Sequence, residues 1–505
     1  MSNQKLIGGL TTLPRLVIQP RSLVIGANVE YGLTHEDGQQ RLAMLAPSGS
    51  PHFTGFEGTC SEHHGGSLVL GPLSAPNAAT LRTRLPWLRP RTFGLRTSVG
   101  LGDRLGFATP GHVQAVRAAG GNLAPMFAQQ SIREMQRTGR SPQEVMDDVM
   151  WGIFAEGWCN GNGADADHLK TPADIDTCVA AGYTFYTFDP GEHVYWQADS
   201  MSAAELRSAL NLLPWHELND SPEALAKRYL DKSFDLEGNV IHFDEVTLLR
   251  SAIKYGRAIA HAVALYRHLV DVARDRDVEV EISVDETETP TTHAQHVYIA
   301  NELKRLEVQW VSLAPRYVGR FEKGVDYIGD VGEFEADFAI HAAIARFFGP
   351  YKLSLHSGSD KFSIYEAAVR QTRGLIHLKT AGTSYLEALH TIAALDPTFF
   401  RAIYAFARQH YAADRASYVV SASLDQAPDP VAVSDADLPT LLADFDAREI
   451  LHVTFGSVLR ARDDGRLRFA NHLKDLLGAH PEAYAANLRT HFQMHLAAFA
   501  AATKS

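Results

Sequence analysis

The sequence predicts an α/β chain built on a (β/α)8 barrel of the TIM type, with N-terminal accessory strands, a helical insertion after strand 4 and a C-terminal helical appendage. Three observations predict it. Short apolar runs recur between residues 92 and 379, most of them followed by a polar, Gly-containing loop and then by a helix start. Several of these starts carry their own caps: Thr109-Pro110, Ser141-Pro142 with Glu144, Thr171-Pro172 with Asp174, Ser363 with Glu366 and Ser384 with Glu387. In residues 278–293, VEVEISVDETETPTTH, Val278, Val280, Ile282 and Val284 alternate with Glu279, Glu281 and Ser283, and the run then delivers Asp285, Glu286 and Glu288 to its end. Parallel α/β enzymes bind their ligands at the carboxyl ends of such strands.

In chain order, residues 1–88 form an accessory region whose apolar runs at 16–18, 22–25 and 67–70 are split by Gly and Pro into short strands. Its Cys60-Ser-Glu-His63-His64 cluster reads as a Gly-flanked loop, because no second ligand pair follows at metal-site spacing. The barrel occupies 89–384, with expected strands at 92–97, 123–128, 151–156, 183–188, 278–284, 308–313, 352–355 and 374–379. Right-handed crossovers close eight such repeats into a barrel; a doubly wound open sheet is the alternative. The stretch between 188 and 278 is too long for one crossover, so an insertion at about 197–240 is expected, built from helices over 203–213 and 222–230. Residues 385–505 read as helical, interrupted by a Pro- and Asp-rich stretch at 424–440.

Composition narrows the function. A chain of 505 residues, 45% hydrophobic and 21% charged, is long enough for one large core with additions. Its net charge of -12 argues against a general nucleic-acid binder, which needs clustered Lys and Arg. Three scattered cysteines, Cys60, Cys159 and Cys178, make neither a disulfide framework nor a thiolate metal site, and a reducing cytoplasm is the expected home. Residues 1–26 lack a signal-peptide pattern and no run of 18 apolar residues occurs, so neither secretion nor membrane insertion is expected. The subunit number stays open, a homo-oligomer included.

The chemistry follows from the expected strand ends. After the third strand come Asp165, Asp167, His168 and Lys170; after the fifth, Asp285, Glu286 and Glu288; after the sixth, Arg316, Arg320, Glu322, Lys323, Asp326 and Asp330. The seventh delivers His356, Asp360 and Lys361, and the eighth His377 and Lys379. A mixed Asp/Glu/His set suits a divalent cation such as Mn, Ni, Co or Zn, with remaining carboxylates as general acid and base and with Lys and Arg side chains on a substrate anion. Some of these residues have plainer readings. His261 and His341 lie within helical runs and read as packing or surface residues, His377 as a core residue, Glu144 and Asp174 as caps, and Glu279 and Glu281 as structural. Alternation alone does not choose among Asp285, Glu286 and Glu288. The Gly100–Gly106 segment has the wrong spacing for G-x-G-x-x-G, and there is no Walker loop, H-E-x-x-H, C-x-x-C or G-x-S-x-G. Nucleotide chemistry and serine hydrolysis are disfavoured.

At these loops the sequence resembles the tagaturonate epimerases of bacterial hexuronate catabolism. The segments that carry the resemblance are GLGDRLGFATPGH (100–112), FAQQSIRE (127–134), GADADHLK (163–170), SVDETETPT (283–291), EKGVDYIGD (322–330), LHSGSDKFS (355–363), HLKTAGTSYLEAL (377–389) and LHVTFGSVL (451–459). The resemblance implies a divalent-metal-dependent isomerase that interconverts D-tagaturonate and D-fructuronate, with the neutral pair tagatose and fructose as related substrates. Carried onto matching positions, it implies Asp167 as base, Glu286 as acid, and His168, Asp326 and His356 as metal ligands. It also implies Arg316, Asp360, Lys361 and Lys379 as substrate-binding groups. Asp326 competes here with Glu322, and Glu286 with Asp285 and Glu288. His452, in the tail segment, reads equally as a site residue reaching in from outside the barrel and as a helix-packing histidine.

The inverted carbon, C4 in ketose numbering, lies β to the C2 carbonyl, so simple enolisation does not acidify its hydrogen. Retro-aldol cleavage between C3 and C4, rotation and readdition is the favoured route, and a reversible hydride shift the alternative. A metal-dependent ketose aldolase, on nearly the same constellation, and a non-catalytic sugar-binding protein are the rival functions.

Overall fold

A computed structural model describes residues 9–503 apart from 14, 15, 37, 64 and 65; His64 of the Cys60–His64 cluster therefore lies outside the described residues. The fold is mixed α/β, and its centre is a closed barrel of eight parallel strands. These are β1 (Ser98–Gly100), β2 (Ala124–Ser131), β3 (Gly163–Leu169), β4 (Phe185–Phe188), β5 (Glu279–Ser283), β6 (Ser312–Ala314), β7 (Lys352–Leu355) and β8 (Ile376–Lys379). β8 pairs in parallel with β1, which closes the ring and leaves no edge.

Two expected strands move. Residues 151–156 are not the third strand: 142–155 form a capped helix, with Ser141 and Glu144 making a reciprocal capping box. The third strand is Gly163–Leu169, a stretch read from sequence as a loop. Its alternation is genuine but inverted in polarity, with Ala164, Ala166 and Leu169 in the apolar core and Asp165 and Asp167 in the barrel. The first strand begins at Ser98, after the expected 92–97 run. In the insertion region, helices Ala203–Leu210 and Pro222–Tyr229 are followed by a hairpin, Lys232–Leu236 with Asn239–Phe243, that the sequence reading did not contain. Glu237 (φ 54°) and Gly238 (φ 90°) make its two-residue turn, the left-handed pair that tight hairpins require.

The helices that matter for the site are α1 (Thr109–Ala119), α2 (Ile132–Thr138), α3 (His293–Arg305), α4 (Val331–Phe348), α5 (Phe362–Thr372), α6 (Thr383–Leu395), α7 (Phe445–Val453) and α8 (Pro481–Ala502). The N-terminal residues fold into a five-stranded antiparallel sheet spanning Val24–Pro72. One hydrophobic cluster runs through it, the barrel and the C-terminal helices, from Val29 and Tyr31 to Leu488 and Phe499. Burial of this apolar surface is the main force holding the three layers together. Among the described residues no helix is long and apolar enough to cross a membrane.

The barrel interior is charged. Glu279 and Glu281 face inward, while Val280 and Ile282 pack outward in the main core. At the lower end Lys352 Nζ donates to Ser98 Oγ at 2.9 Å, and Glu279 accepts from the backbone N–H of Phe93 and Gly94. His377, wholly buried, lies 2.8 Å from Ser98 Oγ. One level higher, Lys379 Nζ meets Asp165 at 3.0 Å, Asp167 at 2.6 Å and Glu281 at 2.9 Å, and donates to Thr187 Oγ1 at 2.6 Å. Buried charges are tolerated only when paired in this way.

Candidate active site

The charged ladder continues upward into an open cavity at the carboxyl ends of the strands, where parallel α/β barrels bind their ligands. Asp167 and His168 are adjacent in sequence, and strict alternation would point them to opposite faces. They share the cavity because β3 breaks register against β4 between Ala166 and Leu169, and His168 takes a positive φ of 51°. Such a bulge re-aims side chains near active sites, and the strained backbone is held by its surroundings.

Asp167, His168 and His356 each present a ligand atom within 4.8 Å of the others. The two imidazoles are oriented by carboxylates. His168 Nδ1 lies 3.1 Å from Asp189 Oδ2, and His356 Nε2 lies 2.6 Å from Glu281 Oε1. His356 Nδ1 faces Asp285 Oδ1 at 3.1 Å and Ser283 Oγ at 3.3 Å. A carboxylate behind a histidine ring fixes its tautomer and raises its basicity, the arrangement found behind metal-ligating histidines.

The electrostatics agree. Burial would lower the His168 pKa, but Asp167, Glu286 and Asp189 outweigh it and lift it to about 10. Burial likewise works against His356, yet Asp285 and Glu281 raise it to about 9 even with Lys379 opposing. Asp167, although buried, is held below the ordinary carboxylate range by His168, Lys379 and His356. Lys379 is held above its ordinary value because three carboxylates outweigh its burial. Acids thus outnumber the permanent cations in this layer, and the histidines take up protons to balance them. A divalent cation bound by deprotonated imidazoles supplies the same positive charge, and the residues present fit one.

At the rim, Glu286 lies between Arg133 Nη2, at 2.9 Å, and Lys323 Nζ, at 3.9 Å. Burial raises the Glu286 pKa, but His168, Lys323 and Arg133 bring it down to about 2. Lys323 also donates to Ser357 Oγ at 2.6 Å. The cavity roof comes from far along the chain, from Tyr418 and from His452 of α7. The Arg133 guanidinium stacks 5.7 Å from the Tyr418 ring centroid, and Arg137 hydrogen-bonds the Tyr418 hydroxyl. On the far side Arg104 is held by Glu134 at 2.6 Å and donates to the His452 carbonyl at 3.2 Å.

The expected site residues therefore divide. The structure brings together Asp167, His168, His356, Glu286 and Lys379. It does not bring Asp326 to them, because the Asp326 carboxylate accepts from Ser363 N and Ser363 Oγ at the start of α5, a capping role. Glu322, its rival, accepts from Ser421 Oγ at 2.6 Å instead. Lys361 is wholly buried and donates to the carbonyls of Glu322, Val325 and Ser359, so its ammonium is already satisfied. Asp360 ties the barrel to the C-terminal helices, with Arg448 at 3.0 Å and His491 at 2.6 Å. Arg316 does not line the cavity; its backbone N–H donates to Thr291 Oγ1. Sequence reasoning gave no role to Arg133, Gln129 or Tyr418. The FAQQSIRE segment contained a signal for the first two, since Ser131 caps α2 and so places Gln129 and Arg133 on either side of a strand end.

Comparison with known proteins converges on one family. The family model for tagaturonate epimerase matches residues 20–499. The chain is 43% identical over 439 residues to the tagaturonate/fructuronate epimerase of Thermotoga maritima, covering 86% of this chain and 87% of that one. It superposes on the native crystal structure of the fructuronate-tagaturonate epimerase UxaE from Cohnella laeviribosi with a TM-score of 0.90 and 37% identity, covering 96% of this chain and 97% of that one. The same enzyme's structure with two glycerols gives a TM-score of 0.90 with the same coverage. With the barrel, the strand-end constellation and these matches in agreement, the chain belongs to the tagaturonate epimerase family and is an enzyme of the isomerase class.

Proposed function

We propose that this enzyme interconverts D-tagaturonate and D-fructuronate in a divalent-metal-dependent reaction at the cavity formed by Asp167, His168 and His356. The observation that carries this reading is the pair of imidazoles, each braced by a carboxylate and converging with Asp167 within 4.8 Å. These three residues would hold a cation of the Mn, Ni, Co or Zn class. Such a cation supplies Lewis-acid stabilisation of the negative charge that develops on the ketose oxygens. This reassigns Asp167 from base to ligand, with Lys379 and Gln129 Nε2 (3.0 Å) holding its carboxylate in place.

The chain's own groups cover the remaining requirements. Glu286 presents a carboxylate oxygen within 4.8 Å of a His168 ring nitrogen and is ionised, so it is the group we assign to take the C4 hydroxyl proton and return it. Retro-aldol cleavage of the C3–C4 bond follows from that deprotonation, and rotation of the aldehyde fragment before readdition inverts C4. Arg133 and Lys323 are the cations for the C6 carboxylate, which replaces Glu286 as their partner when substrate enters. Charge matching of this kind favours the uronates over tagatose and fructose. Three free cysteines accord with the reducing cytoplasm as its compartment.

D-tagaturonate carrying deuterium at C4 tests the route. The proposal expects the label to stay on C4 of the fructuronate formed and three-carbon fragments to be trapped under quench. Label migration to another carbon with no fragments refutes the retro-aldol route, and released fragments without epimer identify an aldolase.

A further inference from the structure

A second histidine and carboxylate cluster lies outside the barrel, among residues that the catalytic reading does not use. Asp337 and His341 sit four residues apart on α4 and so share one helix face, and His293 is the first residue of α3. His293 Nε2 lies 2.9 Å from Asp337 Oδ1, and His341 Nε2 lies 3.6 Å from Asp337 Oδ2. One ligand atom from each residue falls within 4.8 Å of the other two. We propose that His293, Asp337 and His341 form a second divalent-metal site, structural in role and of the zinc or cobalt class, that ties the start of α3 to α4.

Two independent features point to a ligand rather than to a simple ion pair. His341 is 0% exposed, yet its Nε2 has no hydrogen-bond partner, and neither has the buried Asp337 Oδ2 that faces it. Buried polar atoms are almost always satisfied, so two orphans pointing at one another across 3.6 Å mark a space that another atom completes. The His341 ring is also braced from behind. Its Nδ1 lies 2.8 Å from His296 Nδ1, and His296 Nε2 lies 2.8 Å from the Tyr351 hydroxyl. A ring held through Nδ1 presents Nε2 as the donor atom, as metal-ligating histidines do.

The donor set selects the metal. Two imidazoles and one carboxylate suit zinc or cobalt and disfavour calcium and magnesium, which take all-oxygen shells. The Asp337 and His293 side chains remain 17% and 25% exposed, which leaves a water to complete a tetrahedral shell. None of the three residues lines the catalytic cavity, so this site stands or falls separately from the proposed reaction. Its connection to that cavity is through the chain: residues 285–292, which carry Asp285 and Glu286, run directly into His293. An ion there fixes the downstream end of the acidic loop.

Metal content of the full-length protein tests the proposal. Native, His293→Gln, His341→Gln and His356→Gln proteins are stripped with chelator, loaded with zinc, desalted and assayed for zinc per chain by mass spectrometry. The expected result is one zinc fewer in His293→Gln than in the native protein, with epimerase activity retained, and a zinc-induced rise in melting temperature that His293→Gln reduces. His293 is partly exposed, so this variant reports even where the buried His341→Gln does not fold. The His356→Gln protein is expected to keep the ion that His293→Gln loses, shown by tetrahedral cobalt absorption after loading with cobalt alone. Equal zinc in native and His293→Gln proteins overturns the second site whatever happens to the first.

Discussion

Replacing Lys379 by Met removes the cation at the centre of the barrel and leaves its partners in place. Lys379 Nζ contacts Asp167 and Thr187 at 2.6 Å, Glu281 at 2.9 Å and Asp165 at 3.0 Å. Counted as separate hydrogen bonds, these four contacts are worth about 1 kcal/mol each in net terms. The larger effect is that three carboxylates, all buried, lose their shared counter-charge. Stripping one partner from a buried ion cluster costs about 3–5 kcal/mol, because the acids cannot return to water while the fold persists. Methionine matches the lysine stem, so the cost is electrostatic rather than a cavity. Guanidinium unfolding followed by tryptophan fluorescence is expected to show this loss as a shift in midpoint. The double variant Asp165→Asn with Lys379→Met is expected to recover at least about 1 kcal/mol of it, since residues sharing one network are not additive. A single variant within about 0.5 kcal/mol of native stability would refute the reading of the barrel interior as a charge-paired ladder.

Other outcomes follow from the same geometry. Asp189→Asn takes the carboxylate from behind His168 and is expected to weaken metal binding about 10- to 100-fold in a chelator competition assay, with the fold retained. Arg133→Met removes a charge-assisted contact worth about 1.5–3 kcal/mol, so KM for tagaturonate is expected to rise about 10- to 150-fold. With a neutral ketose the same variant is expected to change KM little. For pH, the relevant groups are buried neutral histidines: burial lowers His112 to about 4 and His296 to about 3. At these two histidines the unfolded chain, with ordinary values near 6.5, binds more protons than the fold, so their contribution to stability is full above about pH 6.5 and falls as pH drops towards 4, opposite in sign to that of His168 and His356, whose raised values favour the fold most below pH 6.5. The His112 share of that change is about 2.5 kcal/mol between pH 8 and pH 4.5, read as the difference in unfolding stability between native and His112→Gln proteins at the two pH values.

The barrel was legible because most of its strands are apolar runs with capped helices behind them. Its third strand was not, and the reason is local. Gly163–Leu169 turns its carboxylates inward and offers only Ala164, Ala166 and Leu169 to the core, so a search for apolar runs passes over it and takes the apolar helix at 142–155 instead. The alternation Ala-Asp-Ala-Asp was the usable signal. Within the site, Asp167, His168, His356, Glu286 and Lys379 were reached from their place at strand ends. Asp326 and Lys361 follow strand ends as well, yet one caps a helix and the other satisfies three carbonyls, roles that depend on packing partners from distant segments. Tyr418 closes the cavity from the C-terminal helical region, more than 200 residues after β3, and contact at that separation leaves no mark in local sequence; His452, which joins it there, is legible in the tail segment, where the sequence weighs a site role and helix packing evenly. The imidazole of His168 reaches its position only through a bulge and a positive φ that alternation does not encode.

The central claim is that the braced imidazole pair with Asp167 is a metal-dependent epimerisation site. NMR of D-tagaturonate with chelator-treated protein, with protein resupplied with Mn, Ni, Co or Zn, and with resupplied His356→Gln protein tests it most directly. The account predicts no fructuronate after chelation, its return with added metal, and none from His356→Gln under the same conditions. Fructuronate formed at an undiminished rate after chelation, or by the resupplied His356→Gln protein, would contradict it.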